Sequence, residues 1–108
     1  MVSLDNFRKL ALSFPEAEEQ PHFNLPSFRV KKKIFATLWE KENKAMIKFT
    51  PLDQSVFCAY GDAVFYPVPG FWGKKGATFV DLGKVRKDML KDALSVAYEA
   101  VTAKKQKK

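Results

Sequence analysis

Phe28-Arg29-Val30-Lys31-Lys32-Lys33-Ile34-Phe35-Ala36-Thr37-Leu38-Trp39 is the stretch that decides the fold class of this chain. From Ile34 to Trp39 apolar residues occupy both parities, but the small and aliphatic ones fall on the even positions. Ile34, Ala36 and Leu38 form one face. Lys33, Phe35, Thr37 and Trp39 form the other. Phe28 and Val30 alternate with Arg29 and Lys31 just before. Ala45, Ile47 and Phe49 alternate with Lys44, Met46 and Lys48 just after. A period of two marks half-buried antiparallel strands, because successive side chains leave a pleated strand on opposite sides. The even face of Ile34–Leu38 is expected to pack on helices. The odd face, with Phe35 and Trp39, is expected to look outward.

Working outward, Leu4, Phe7, Leu10, Ala11 and Phe14 recur at helical spacing. Ser3 is placed to cap that helix and Pro15 to end it. Residues 15–26, with three prolines and three glutamates, read as an extended loop. Lys31-Lys32 is a poor two-residue hairpin turn, whereas Glu42-Asn43 is better because Asn tolerates positive φ. Thr50-Pro51-Leu52-Asp53 is a strong helix start, with Leu52, Val56 and Ala59 expected to face inward and Gly61 to stop the helix. Val64 to Val68 and Thr78 to Asp81 read as two further strands. A last helix from about Arg86 to Ala103 carries the stripe Leu90, Ala93, Leu94, Ala97 and Val101. The order is α-β-β-β-α-β-β-α. It implies an α+β two-layer domain, an antiparallel sheet of about five strands with helices on one face. Residues 1–108 read as one domain, with Lys104-Lys105-Gln106-Lys107-Lys108 a frayed basic tail.

Composition bounds the chemistry. One cysteine, Cys58, excludes an internal disulfide, and one histidine, His22, leaves few metal ligands, so neither metal nor cofactor is expected. No apolar run approaches the roughly 20 residues of a membrane span, and the expected location is cytoplasmic. The net charge is +7, and it is uneven. Residues 27–60 carry seven basic and three acidic side chains, and residues 84–108 carry eight and three. Such a surface suits anionic partners, nucleic acid among them, and also serves plain solubility.

Phe65-Tyr66-Pro67-Val68-Pro69-Gly70-Phe71-Trp72-Gly73-Lys74-Lys75-Gly76 concentrates aromatics, prolines and glycines beside two lysines. Its glycine spacing does not match a phosphate-binding Walker loop, and no Ser or Thr follows Lys75. At least one of Phe71 and Trp72, Trp72 first, is expected to pack on the domain, with Lys74 and Lys75 in solvent. Cys58 has no charged activator nearby and reads as a partly buried thiol. His22 lies downstream of Glu16, Glu18 and Glu19. A carboxylate–imidazole pair there could act as a general base, but with no companion nucleophile the histidine reads first as a loop-holding residue.

PHFNLPSFRVKKKIFATL (21–38), FYPVPGFWGKKGATFVDL (65–82) and LKDALSVAYEAV (90–101) together resemble the MmcQ/YjbR family of small bacterial proteins. The resemblance spans nearly the whole chain and implies an architecture similar to the type III secretion chaperone-like fold. It implies DNA binding only as loosely as a shape and a basic surface can. Family members often have Gly in the first hairpin turn, where this chain has Lys31-Lys32-Lys33.

The leading expectation is a non-enzymatic binding module, contacting DNA weakly and in a salt-dependent way. Its partner surface would comprise Arg29, Lys31, Lys32, Lys33, Phe35, Trp39, Lys48, Trp72, Lys74 and Lys75. The alternatives are a protein-interaction or chaperone-like adaptor that dimerises, and a small-ligand pocket built from Glu18, His22 and Trp72.

Overall fold

A computed structural model describes residues 2–22, 24–60 and 63–102. The turn at Gly61 and the basic tail therefore lie outside the described residues. Helix α1 (Leu4–Leu12) is followed by strands β1 (Glu18–His22), β2 (Leu25–Val30), β3 (Lys33–Trp39) and β4 (Lys44–Lys48). Then come α2 (Pro51–Cys58), β5 (Phe65–Pro67), the one-turn helix α3 (Phe71–Lys74), β6 (Ala77–Asp81) and α4 (Lys87–Thr102). The strands form one antiparallel sheet in the order β1-β2-β3-β4-β6-β5. The α+β class and the antiparallel sheet are as expected; the sheet has six strands.

The added strand is β1, in the segment expected to be a loop. Its prolines hide it from a reading by propensity. Pro21 lies opposite Pro26 on an edge strand, where a missing N–H costs least. Two tertiary ties hold β1. Ser27 donates to the carbonyl of Gln20 (2.6 Å). Arg8 of α1 reaches Glu19 (3.3 Å) and Glu40 (2.7 Å), clamping the helix over the sheet edge. The hydrogen bond to Glu40, with Glu19 beside it, raises the Arg8 guanidinium above its ordinary range. These groups are part-exposed, so the clamp is worth about 0.5–1 kcal/mol per pair.

Local signals behave as the residues dictate. The Ser3 hydroxyl accepts from the Asn6 N–H, and the Thr50 hydroxyl from the Asp53 N–H, both at 3.1 Å. Asn43 takes the left-handed conformation (φ 55°) after a 3-10 turn at Glu40–Glu42. Lys31 and Lys32 form the two-residue hairpin turn despite their side chains, at φ 52° and 71°. Two positive φ values describe a turn that favours Asn-Gly. Replacing Lys31→Asn and Lys32→Gly should raise stability by about 1 kcal/mol, seen as a higher urea midpoint.

The core lies between the sheet and helices α1 and α4. Phe7 meets Phe28 edge-on at 5.5 Å, and Phe35 meets both Phe14 and Tyr98. The Tyr98 hydroxyl donates to the Pro15 carbonyl (2.8 Å), tying α4 to the end of α1. A second aromatic stack, Phe49–Phe57–Phe65, seats α2. Leu52 and Val56 do not face inward: they are 75% and 55% exposed. The helix is turned so that Phe57 enters the stack and Gln54 donates to the carbonyls of Gly73 (2.9 Å) and Ala77 (3.1 Å).

Candidate binding site on the outer sheet face

The face of the sheet opposite α1 and α4 is set by register. Ser27 pairs with Thr37, Thr37 with Met46, and Met46 with Phe79, so these side chains share that face. Trp39 and Lys44 pair next to them. Between Phe28 and Arg29 the register slips: Phe28 pairs with Ala36, but Arg29 pairs with Ile34. One residue of β3, Phe35, is thus extra, and a bulge lets two successive side chains change their facing. Phe35 turns into the core and is fully buried, so its expected place on the partner surface is wrong. Ile34, expected in the core, instead lines the outer face.

That face holds a cavity of about 360 Å³. Ile34, Met46, Ala77 and Thr37 line it from the sheet. His22, Lys48, Trp72 and Lys75 complete it. Trp72 comes from α3, whose orientation follows from Gly73. A Cβ on Gly73 would lie 1.8 Å from the Val68 carbonyl oxygen. The glycine is therefore the only residue type that can turn inward there, and both neighbouring rings are turned out. Phe71 is 62% exposed and Trp72 64%, which corrects the expectation that one of them packs on the domain. Lys74 and Lys75 are exposed, as expected, with the Lys75 ammonium 5.1 Å from the Phe71 ring centre.

The remaining site residues separate into groups. Lys48 lines the cavity, and Lys31, Lys32 and Lys33 are exposed at the hairpin tip that begins beside Ile34. Trp39 is on the outer face but engaged: its Nε1 donates to the Thr37 hydroxyl (3.0 Å), and its ring meets Phe79 edge-on. The Lys44 ammonium lies 3.9 Å from the Phe79 ring centre. Arg29 is half-buried and donates to Ser27 Oγ (3.1 Å) and the Pro21 carbonyl (3.3 Å), so it braces β1 rather than reaching outward.

His22 and Trp72 both line the cavity; Glu18 does not. Four residues along a strand separate Glu18 from His22 by roughly 13 Å. Glu18 instead sits opposite Arg29. Among the described residues no group of three His, Cys, Asp or Glu side chains is placed to hold a metal. Burial pushes the Cys58 thiol up, away from the thiolate form. Sequence reasoning missed Ile34 and Ala77 as cavity residues. The one trace of the first was the adjacent apolar pair Ile34-Phe35, which breaks strict alternation.

The YjbR family model matches residues 12–100. The chain belongs to the YjbR family. The crystal structure of a Deinococcus radiodurans protein with a DUF419 domain is similar at a TM-score of 0.82, with 22% identity, over 100% of this chain and 84% of that one. That likeness shows the fold. No curated protein matches the chain. No helix of the described residues is long and apolar enough to cross a membrane.

Proposed function

We propose that this YjbR-family domain is a non-enzymatic binding module that takes nucleic acid on the outer face of its sheet, chiefly through phosphate contacts. The observation that carries this reading is the grouping of an exposed indole, Trp72, with Lys48 and Lys75 around one open cavity. Lysines neutralise phosphates without reading sequence, and an exposed ring offers a stacking surface. Lys31, Lys32 and Lys33, exposed at the hairpin tip that precedes Ile34 in the chain, would add further positive charge.

DNA affinity should be on the order of micromolar or weaker at physiological salt, and log affinity should fall linearly with log salt. Removing charge with Lys31→Asn/Lys32→Gly should flatten that slope by about 0.9 for each phosphate that is no longer neutralised. This variant relieves the turn, so a weaker complex cannot be blamed on unfolding. Fluorescence anisotropy with a labelled DNA across a salt series measures both quantities. No binding at low salt overturns the reading; an unchanged slope removes the hairpin from the interface.

A protein-interaction role has its own support. Leu52 and Val56 lie one turn apart on the exposed side of α2, and Phe71 adds a third exposed apolar side chain. A salt-insensitive homodimer in light scattering, abolished by Leu52→Asp/Val56→Asp, would favour it.

A further inference from the structure

The cavity on the outer sheet face differs from a phosphate-binding groove. Its sheet-side lining is largely apolar, from Ile34, Met46 and Ala77. Trp72 stands at it largely in solvent, although an indole of this size is normally buried. His22 brings a ring able to hydrogen-bond, and Lys48 and Lys75 bring positive charge. Phosphates alone would need none of the apolar surface, and an uncharged hydrophobe would gain nothing from the lysines. The complementary ligand is a flat heterocycle with a polar edge, attached to an anionic group. A nucleotide has that chemistry.

We infer that this cavity receives one unpaired nucleobase, stacked on Trp72, with the adjoining phosphates held by Lys48 and Lys75, so that the preferred ligand is single-stranded nucleic acid. The inference rests on the nucleic-acid reading above and narrows it. In a duplex the faces of each base are covered by its neighbours, and no ring can enter a protein cavity without unstacking. In a single strand the ring is available, and stacking on an aromatic side chain is worth about 1–3 kcal/mol per base. Since every base has a π-face, the site would be tolerant of sequence.

The test compares a labelled oligothymidylate, a duplex of equal length and an abasic strand of equal length, at matched salt. The oligothymidylate should bind about tenfold or more tightly than either of the others, as one stacked base requires. Trp72→Ala should remove that advantage, bringing the oligothymidylate down to the affinity of the abasic strand. Because Trp72 is exposed, the variant should melt as the parent does. In Trp39→Phe, where Trp72 is the sole tryptophan, adding oligothymidylate should quench the emission and adding the abasic strand should not. Equal affinity for all three ligands overturns the base pocket and leaves phosphate binding standing. A mononucleotide that binds as tightly as the strand overturns the strand proposal and makes this a free-nucleotide site. No binding of any ligand at low salt overturns both readings.

Discussion

Gly76→Ala should destabilise the protein by about 3 kcal/mol or more, a large fraction of the ~5–15 kcal/mol that holds a domain folded. Two independent faults would be introduced. Gly76 sits at φ +112°, a conformation that L side chains rarely adopt. Its new Cβ would also lie 1.9 Å from the Phe49 carbonyl oxygen. That oxygen is main chain and is poorly placed to move. The Phe49 N–H donates to the Gly76 carbonyl (3.3 Å), which also accepts from Thr78 Oγ1 (2.8 Å). Relief would have to separate the end of β4 from the start of β6, next to the Phe49–Phe57 stack. Urea unfolding followed by far-UV circular dichroism measures the effect. A midpoint equal to that of the parent would mean that Gly76 and Phe49 do not approach so closely. Gly70 gives an internal control for the steric half. It too has positive φ (+86°), but its added Cβ meets nothing within 4 Å, so Gly70→Ala should cost less.

Phe35→Ala should cost about 3–5 kcal/mol, as expected for emptying a ring-sized site in a packed core. The ring is fully buried and meets Phe14 at 6.2 Å and Tyr98 at 5.8 Å between ring centres. Tyr98 in turn holds the Pro15 carbonyl, so the cavity would open where α1, α4 and β3 converge. The same substitution distinguishes the two possible facings of β3. Were Phe35 on the outer face, its removal would weaken ligand binding and barely move the unfolding midpoint. With Phe35 inside, the midpoint falls, and the protein that remains folded binds as the parent does. Denaturation and anisotropy on the same preparation separate these outcomes.

Much of the local structure was legible because local residues cause it. Ser3 and Thr50 satisfy N–H groups within their own first turns, so their caps follow from three or four residues of sequence. Asn43 in the left-handed region is likewise a property of that side chain. The stripe Leu90, Ala93, Leu94, Ala97 repeats at helical spacing, and α4 buries all four. Alternation in β4 survives intact, with Ala45 and Ile47 inside and Lys44, Met46 and Lys48 outside or at the margin.

The candidate site depended on interactions no local pattern encodes. A single bulge between β2 and β3 exchanged Ile34 and Phe35 between the faces, because a strand's side chains alternate only while its register is unbroken. Strand β1 exists through its pairing with β2 and the Arg8 clamp across it, not through the propensity of Glu18-Glu19-Gln20-Pro21-His22. α2 chose Phe57 over Leu52 and Val56 because Phe49 and Phe65, outside the helix, offered a stack. The residues from Phe65 to Gly76 announced by their composition that the loop was special. Which rings stayed in water was settled by the room beside Val68, where only Gly73 fits, and that close approach leaves Trp72 at the mouth of the cavity. Sequence thus determined where most strands and helices begin and end, since capping, periodicity and turn chemistry act over a few residues. Tertiary structure alone decided which side chains face the open sheet, since that depends on register and on close approach between segments far apart in the chain.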